Sequence, residues 1–214
     1  GVAAVVAVAG LSAALDDGIR AQARQLLAAD LEVSSRRPIG GEVLTAIDGI
    51  AGARRAGVRE LPSVVSVSAQ GDAGGRPGRS LLCELKAVEP GYPFYGSLET
   101  DPPRDLFELL GDGRVLVAPE LLVRLDLPVG GILRIGDAEY EIVGTVAAEP
   151  DRLEVGFTLG PRVLMSAAAL DRSGLTGTGS RVRYRVLVGL PGGTDPDGVR
   201  RAAERVRAAV PDPE

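Results

Sequence analysis

The side chains able to carry chemistry are few in this sequence. Among 214 residues there is no His, one Cys (Cys83) and one Lys (Lys86). Without imidazole there is no Ser-His-Asp or Cys-His machinery, no imidazole metal ligand and no imidazole pH switch. A lone Cys makes neither an internal disulfide nor a Cys-cluster zinc site. Schiff-base or Ser-Lys catalysis would have to run through Lys86 alone. Neither Gly111-Asp112-Gly113 nor Gly177-Thr178-Gly179 has the third glycine or the strand-to-helix setting of a phosphate loop, so both read as turns. The pairs Glu139/Glu141 and Asp16/Asp17 read as solvated positions, and Asp195/Asp197 as helix-capping chemistry. No catalytic, cofactor-binding or metal-binding residue is expected.

Cys83 sits in a strand pattern and reads as a small core side chain. Lys86 lies two strand positions from Glu84, which predicts a solvated ion pair on one sheet face. Two groups remain as candidate contacts for a partner or cargo. Arg181, Arg183 and Arg185 alternate along one strand and could recognise anions or lipid headgroups, or form the wet face of a sheet. Tyr92, Phe94 and Tyr95 form the largest aromatic concentration in a chain that is 3% aromatic. They read either as a contact loop or as that loop's own anchor to the core.

Charge narrows the classes further. A net charge of −5 argues against a general nucleic-acid binder, and the absence of Trp argues against a base-stacking platform. The hydrophobic fraction of 45% and charged fraction of 25% are those of a globular chain.

The elements that must position these residues are legible in outline. Strands are expected at 31–35, 58–69, 81–88, 114–118, 162–165 and 181–188, with helices over 43–51, from Pro119 to about Leu125 and after Ser166. Ile132–Ile135, Gly136-Asp137 and Ala138–Val146 read as a hairpin, the leading Gly suiting a type II′ turn. Residues 89–105, rich in Pro and Gly, read as an irregular surface loop. A helix carrying Val199, Ala202, Ala203, Val206 and Val210 on one face follows Asp197.

The first fifteen residues carry no charge and are too few to span a bilayer alone, which takes about 20 residues. They read either as a buried, Ala-rich N-terminal helix of a soluble domain or as the outer part of a transmembrane helix, and an amphipathic continuation favours the second. Leu11, Leu15, Ile19, Ala23 and Leu26 recur at helical spacing, with Asp16, Asp17, Arg20 and Arg24 off that row. The coupling stem is therefore assigned to Leu15, Ile19, Ala23 and Leu26. The fold class expected is α+β. Residues 1–29 form the end of a membrane helix and its stem, 30–78 with 180–214 a discontinuous α/β sandwich lobe, and 79–179 an inserted β-rich lobe.

Several stretches are similar to the FtsX-type ABC transporter permeases. They are Arg20–Leu31 with Ser34–Pro38, Leu85–Gly96, and Val129–Gly136 with Tyr140–Gly144. Gly156–Met165 and Ser180–Tyr184 resemble the YbbP-type branch of that family. The resemblance, to their MacB-like periplasmic core domains, covers nearly the whole chain. It implies a porter-like lobe and a β-rich, Sabre-like lobe outside the cytoplasmic membrane, between the first and second membrane helices. It implies no catalysis in this domain, and a cytoplasmic ATPase as partner through the rest of the permease. A second permease copy and hydrophobic, lipid or lipoprotein cargo are further implied partners, with motion transmitted across the membrane. The rival expectation, from a different class, is a freestanding extracytoplasmic binding protein for an apolar ligand.

Overall fold

In the computed structural model the described residues are 5–8, 24, 26–67, 78–151, 160–177, 179–192 and 196–210. In chain order the elements are β1 (Val5–Val8), β2 (Leu31–Ser35), α1 (Gly41–Asp48), β3 (Arg54–Val67), β4 (Ser80–Val88), β5 (Glu99–Asp101) and α2 (Leu106–Leu109). There follow β6 (Arg114–Val117), α3 (Pro119–Leu125), β7 (Ile132–Ile135), β8 (Ala138–Ala148), β9 (Arg162–Ser166), α4 (Ala167–Arg172), β10 (Arg183–Gly189) and α5 (Pro196–Ala208). The class is mixed α/β.

One sheet runs through all of it, in the order β1-β2-β10-β3-β4-β9-β6-β8-β5, and β7 pairs with both β3 and β8. That last pairing closes a ring of β3, β4, β9, β6, β8 and β7. Inward-facing residues fill it, among them Val65, Cys83, Leu85, Val115, Ile135, Tyr140, Ile142 and Met165. Small barrels of this kind are packed solid rather than hollow. α3 and α4 add Leu121, Leu125, Ala169 and Leu170 to the same core.

β3 is long because it serves two structures. Its first half, Arg54–Glu60, pairs with β10, and Val58–Ser66 pairs with β4. From β3 the open sheet continues to β10, β2 and β1, and one face is covered by α1 and α5 over Leu31, Val33, Val186 and Val188. On the opposite face Tyr92, α2 and the turn at Ala28-Ala29 close a third core over Val58, Val88, Leu164 and Leu187.

Most predicted elements are present with their local causes. Pro119 stands in the first turn of α3, and Gly136 has φ +58, as a II′ hairpin requires. Ser166 caps α4 by accepting from the Ala169 N–H, and Asp105 caps α2 by accepting from the Phe107 N–H. The 89–105 loop is irregular apart from the short β5.

The opening segment differs from its expectation. Val5–Val8 is a strand, antiparallel to β2 with Val5 opposite Ser34 and Val8 opposite Leu31. Three of its four residues are β-branched Val, whose side chains fit a pleated edge better than a helix. The expected helix is thus corrected at these residues. Arg24, Leu26 and Leu27 are helical, while Leu15, Ile19 and Ala23 lie outside the described residues. So does Asp195, the expected cap of α5. Among the described residues no helix is long and apolar enough to cross a membrane.

Candidate functional site

Pairing register places a row of charges on one face of the sheet. Cross-strand partners share a face, and so do residues two apart along a strand. Glu60 is opposite both Arg183 and Lys86, Arg185 is opposite Ser34, and Glu84 is opposite Arg162. Glu32, Arg185, Glu60, Lys86, Glu84 and Arg162 therefore line a single face across five strands. The turn after β8 lays two more carboxylates, Glu149 and Asp151, onto that row.

The resulting cluster is buried and densely bonded. Lys86 has no exposed surface and donates to Tyr92 Oη at 2.6 Å, Glu149 Oε2 at 2.8 Å and Asp151 Oδ1 at 2.6 Å. The Tyr92 hydroxyl donates in turn to Asp151 at 2.6 Å. Arg185 bridges Asp151 at 2.7 Å and Glu32 at 2.9 Å, and Arg162 donates to Glu149 at 2.8 Å. Glu60 lies 3.6 Å from Arg185, and Glu84 lies 3.6 Å from Arg162.

Burial alone would push the Asp151 and Glu149 carboxyls up. Lys86 outweighs it, with Arg185 at Asp151 and Arg162 at Glu149, so both sit below the usual carboxylate range. Burial, with Asp151 and Glu149 beside it, drives the Tyr92 phenol far up, so its proton stays in place as a donor.

Chemically this is a lock. An ammonium has three hydrogens to give, and all three of Lys86 are engaged inside the protein. The amine is not offered to a substrate. The expected solvated Lys86–Glu84 pair is corrected: Glu149 and Asp151 hold Lys86, and Glu84 lies against Arg162. The mechanism is desolvation, since an unpaired buried ammonium is too costly to persist.

A second polar construction lies beside it, where the chain leaves its entering helix. Ala28 adopts φ +56, and its carbonyl accepts from the Phe94 N–H at 3.0 Å and the Tyr95 N–H at 3.3 Å. Asp30, fully buried, accepts from the Tyr95 hydroxyl at 2.8 Å and the Leu190 N–H at 2.7 Å. Arg24 reaches Asp30 at 3.0 Å and lies 5.4 Å from the centre of the Tyr95 ring. Backbone and side chain together fasten residues 24–30 to the 92–95 loop and to the end of β10.

The candidate contacts divide accordingly. Tyr92 is 3% exposed and belongs to the lock, and Arg185 is 5% exposed at its centre, so neither presents a surface to a partner. Phe94 packs onto the core beneath the loop, and Tyr95 closes the clasp on Asp30. Tyr92, Phe94 and Tyr95 thus tie the loop to the body, while Phe94 and Tyr95 remain half-buried. Arg183 remains 58% exposed while pairing Glu32 at 3.5 Å, and Arg181 is exposed before β10 begins. The expected wet face of β10 is confined to its start, since Arg185 onward is buried on both sides. Leu26 is 45% exposed. Sequence reasoning missed Asp30, Glu32, Glu149 and Asp151. Their one signal was acidic residues within or beside apolar strand patterns.

Among the described residues no group of three or more His, Cys, Asp and Glu is arranged to hold a metal ion. Burial pushes the Cys83 thiol up to about 12, which leaves it inert inside the barrel.

The family described as MacB-like periplasmic core domain matches residues 1–206. The chain belongs to that family. It is 32% identical over 188 residues to an uncharacterized ABC transporter permease, YbbP, of Escherichia coli (strain K12). The match takes in 88% of this chain and 22% of the permease, so the chain spans about a fifth of that relative's length. The crystal structure of the periplasmic region of MacB from Actinobacillus actinomycetemcomitans has the same fold, with a TM-score of 0.52 at 12% identity. The superposition covers 80% of this chain and 76% of that one.

Proposed function

We propose that this MacB-like core domain is the extracytoplasmic, non-catalytic part of an ABC transporter permease. In this reading it receives motion from the helix that enters it and hands that motion to hydrophobic, lipid or lipoprotein cargo, while a cytoplasmic ATPase supplies the energy. The helical residues Arg24, Leu26 and Leu27 would form the end of the stem, with the open sheet as a porter-like lobe and the barrel as an inserted β-rich lobe. A second permease copy is a further partner in this account.

The observation that supports it best is the clasp at Ala28 and Asp30. A lever works only if its end is fastened to a body that does not yield. Asp30 binds the 92–95 loop and the end of β10 at once, and the Glu32–Arg185–Asp151–Lys86 lock begins two residues further on. Displacement of the helix therefore has a polar path into the middle of the sheet.

The test uses the full-length permease with its ATPase in nanodiscs, followed by hydrogen exchange with and without a non-hydrolysable ATP analogue. In the natural protein, nucleotide should change amide exchange in residues 92–96 and in β10. In Asp30→Asn and Tyr95→Phe variants the change should stop before residue 28, with ATP hydrolysis retained. An unaltered nucleotide response beyond residue 28 in both variants would sink the coupling role.

A further inference from the structure

We propose that the end of the sheet where β2 closes and β10 opens receives an extended acidic segment of a protein partner. Ser35, the last residue of β2, lies opposite Tyr184 near the start of β10, so Arg36 and Arg37 come beside Arg181 and Arg183. All four arginines are exposed. No Asp or Glu occurs in residues 33–41 or 174–188, in a chain whose net charge is −5. Positive charge is gathered here against the sign of the whole.

The fold leaves most of that charge unused. Arg36, Arg37 and Arg181 have no ion pair or side-chain hydrogen bond among the described residues. Arg183, 58% exposed, shares Glu32 with Arg185, at 3.5 Å and 2.9 Å respectively. Glu60, opposite Arg183 across the sheet, lies 3.6 Å from Arg185. Both neighbouring acids thus serve the buried row, and the outer arginines face solvent.

Spacing and position select the partner. Arg181 and Arg183 alternate with buried Val182, the pattern of extended chain, in which alternate residues stand about 6.6–6.8 Å apart. A partner strand presents its own alternate side chains at the same interval, so carboxylates at every second residue meet both guanidinium groups in register. Each such pair can form parallel hydrogen bonds, as Arg clusters do with acidic motifs. Residues 24–30 enter at the other end of β2, which at about 3.3 Å per residue is about 17 Å away. The choice of a peptide over a bilayer rests on the stem reading above, in which the membrane lies beyond residues 24–30.

Amide-resolved NMR titration of the 214-residue chain with a peptide of alternating Glu and Thr tests this. Saturable shifts are expected at Ser34–Arg37 and Arg181–Tyr184, fading as salt rises to about 1 M, where charges are screened beyond about 3 Å. A peptide of alternating Lys and Thr should produce none. Arg36→Glu with Arg181→Glu should weaken the acidic peptide at least about tenfold, because two attractions become repulsions, while the rest of the spectrum is unchanged. No saturable binding, shifts that map elsewhere, or indifference to the double reversal would each overturn the proposal. Phosphatidylglycerol vesicles held through Arg36 and Arg181 more tightly than the peptide would assign the surface to a membrane and overturn it as well. No nucleotide enters this titration, so its failure leaves the coupling role standing, and failure of that role in the exchange experiment leaves the peptide result standing.

Discussion

At Lys86 the protein concentrates charge where little water reaches, and the energetic consequence is one-sided. Removing one partner of a buried ion pair typically costs about 3–5 kcal/mol, because the other is left charged and dry. Lys86→Met should therefore lower unfolding stability by that order in a urea titration. Adding Glu149→Gln and Asp151→Asn should restore part of it, since the buried row would then no longer carry the excess negative charge that loss of Lys86 leaves, although Arg162 and Arg185 each lose a carboxylate. Independent, additive losses across the three changes would show that the cluster is not a unit. The same cluster sets an acid limit. Asp151 and Glu149 are depressed in the folded state, so their contribution is complete above the unfolded carboxylate range near pH 4 and is lost as pH falls below it. Tyr92 works in the opposite sense. Its raised phenol leaves stability intact below about pH 10 and erodes it above, where the unfolded phenol ionises first. The stability profile of the natural protein should thus be flat from about pH 4 to about pH 8.5, where the raised Cys83 thiol begins an alkaline fall that Tyr92 deepens above about pH 10, and Lys86→Met should blunt the acid fall. Sequence showed Lys86 on a strand beside Glu84 but not its true partners. Glu149 and Asp151 are 63 and 65 residues away, brought in by a turn whose placement no local pattern encodes.

Among the elements, those built on local chemistry were readable and those built on edge pairing were not. The hairpin β7–β8 announces itself through Gly136 and the alternation of Tyr140 and Ile142, both fully buried. Its turn is also tied to α4, for the Asp137 N–H donates to Ser173 O at 2.9 Å. A Cβ on Gly136 would meet that carbonyl at 2.1 Å, in addition to the strain of φ +58 in a residue bearing a side chain. Gly136→Ala should cost more than about 1 kcal/mol, the intrinsic penalty of that conformation. A thermal melt within 1–2 °C of the natural protein would mean that the turn relocates freely. The opening Val5–Val8 shows the opposite case. A short Val- and Ala-rich run satisfies helix and strand patterns alike, and a backbone edge on β2, invisible in sequence, settles it as strand. The clasp was likewise half legible: the aromatic cluster stood out, whereas Asp30 is one acid among many until Tyr95 and the Leu190 amide converge on it.

For the whole molecule the governing feature is that β3 belongs at once to the barrel and to the open sheet. An inserted lobe joined by linkers would unfold independently of its host. Here the host's strand β10 pairs with Arg54–Gly57 and then with the very residues, Val58–Glu60, that pair with β4 of the barrel. Losing either core therefore strips partners from the other, and the buried lock extends across both. Urea unfolding should accordingly be one cooperative transition despite the chain's length. Two signals from opposite ends can check this. Cys83 lies inside the barrel with its thiol held near 12, so it should react with a thiol reagent only when the barrel opens. A fluorophore attached at exposed Arg207 on α5 would report the open sheet, whose core contains the neighbouring Val206. Coincident midpoints for Cys83 exposure and the α5 signal are the expected result. Barrel exposure separated from the α5 transition would mean that motion imposed on the open sheet could be absorbed at β3 instead of reaching the barrel. The rigid body that a lever needs would then stop at β3.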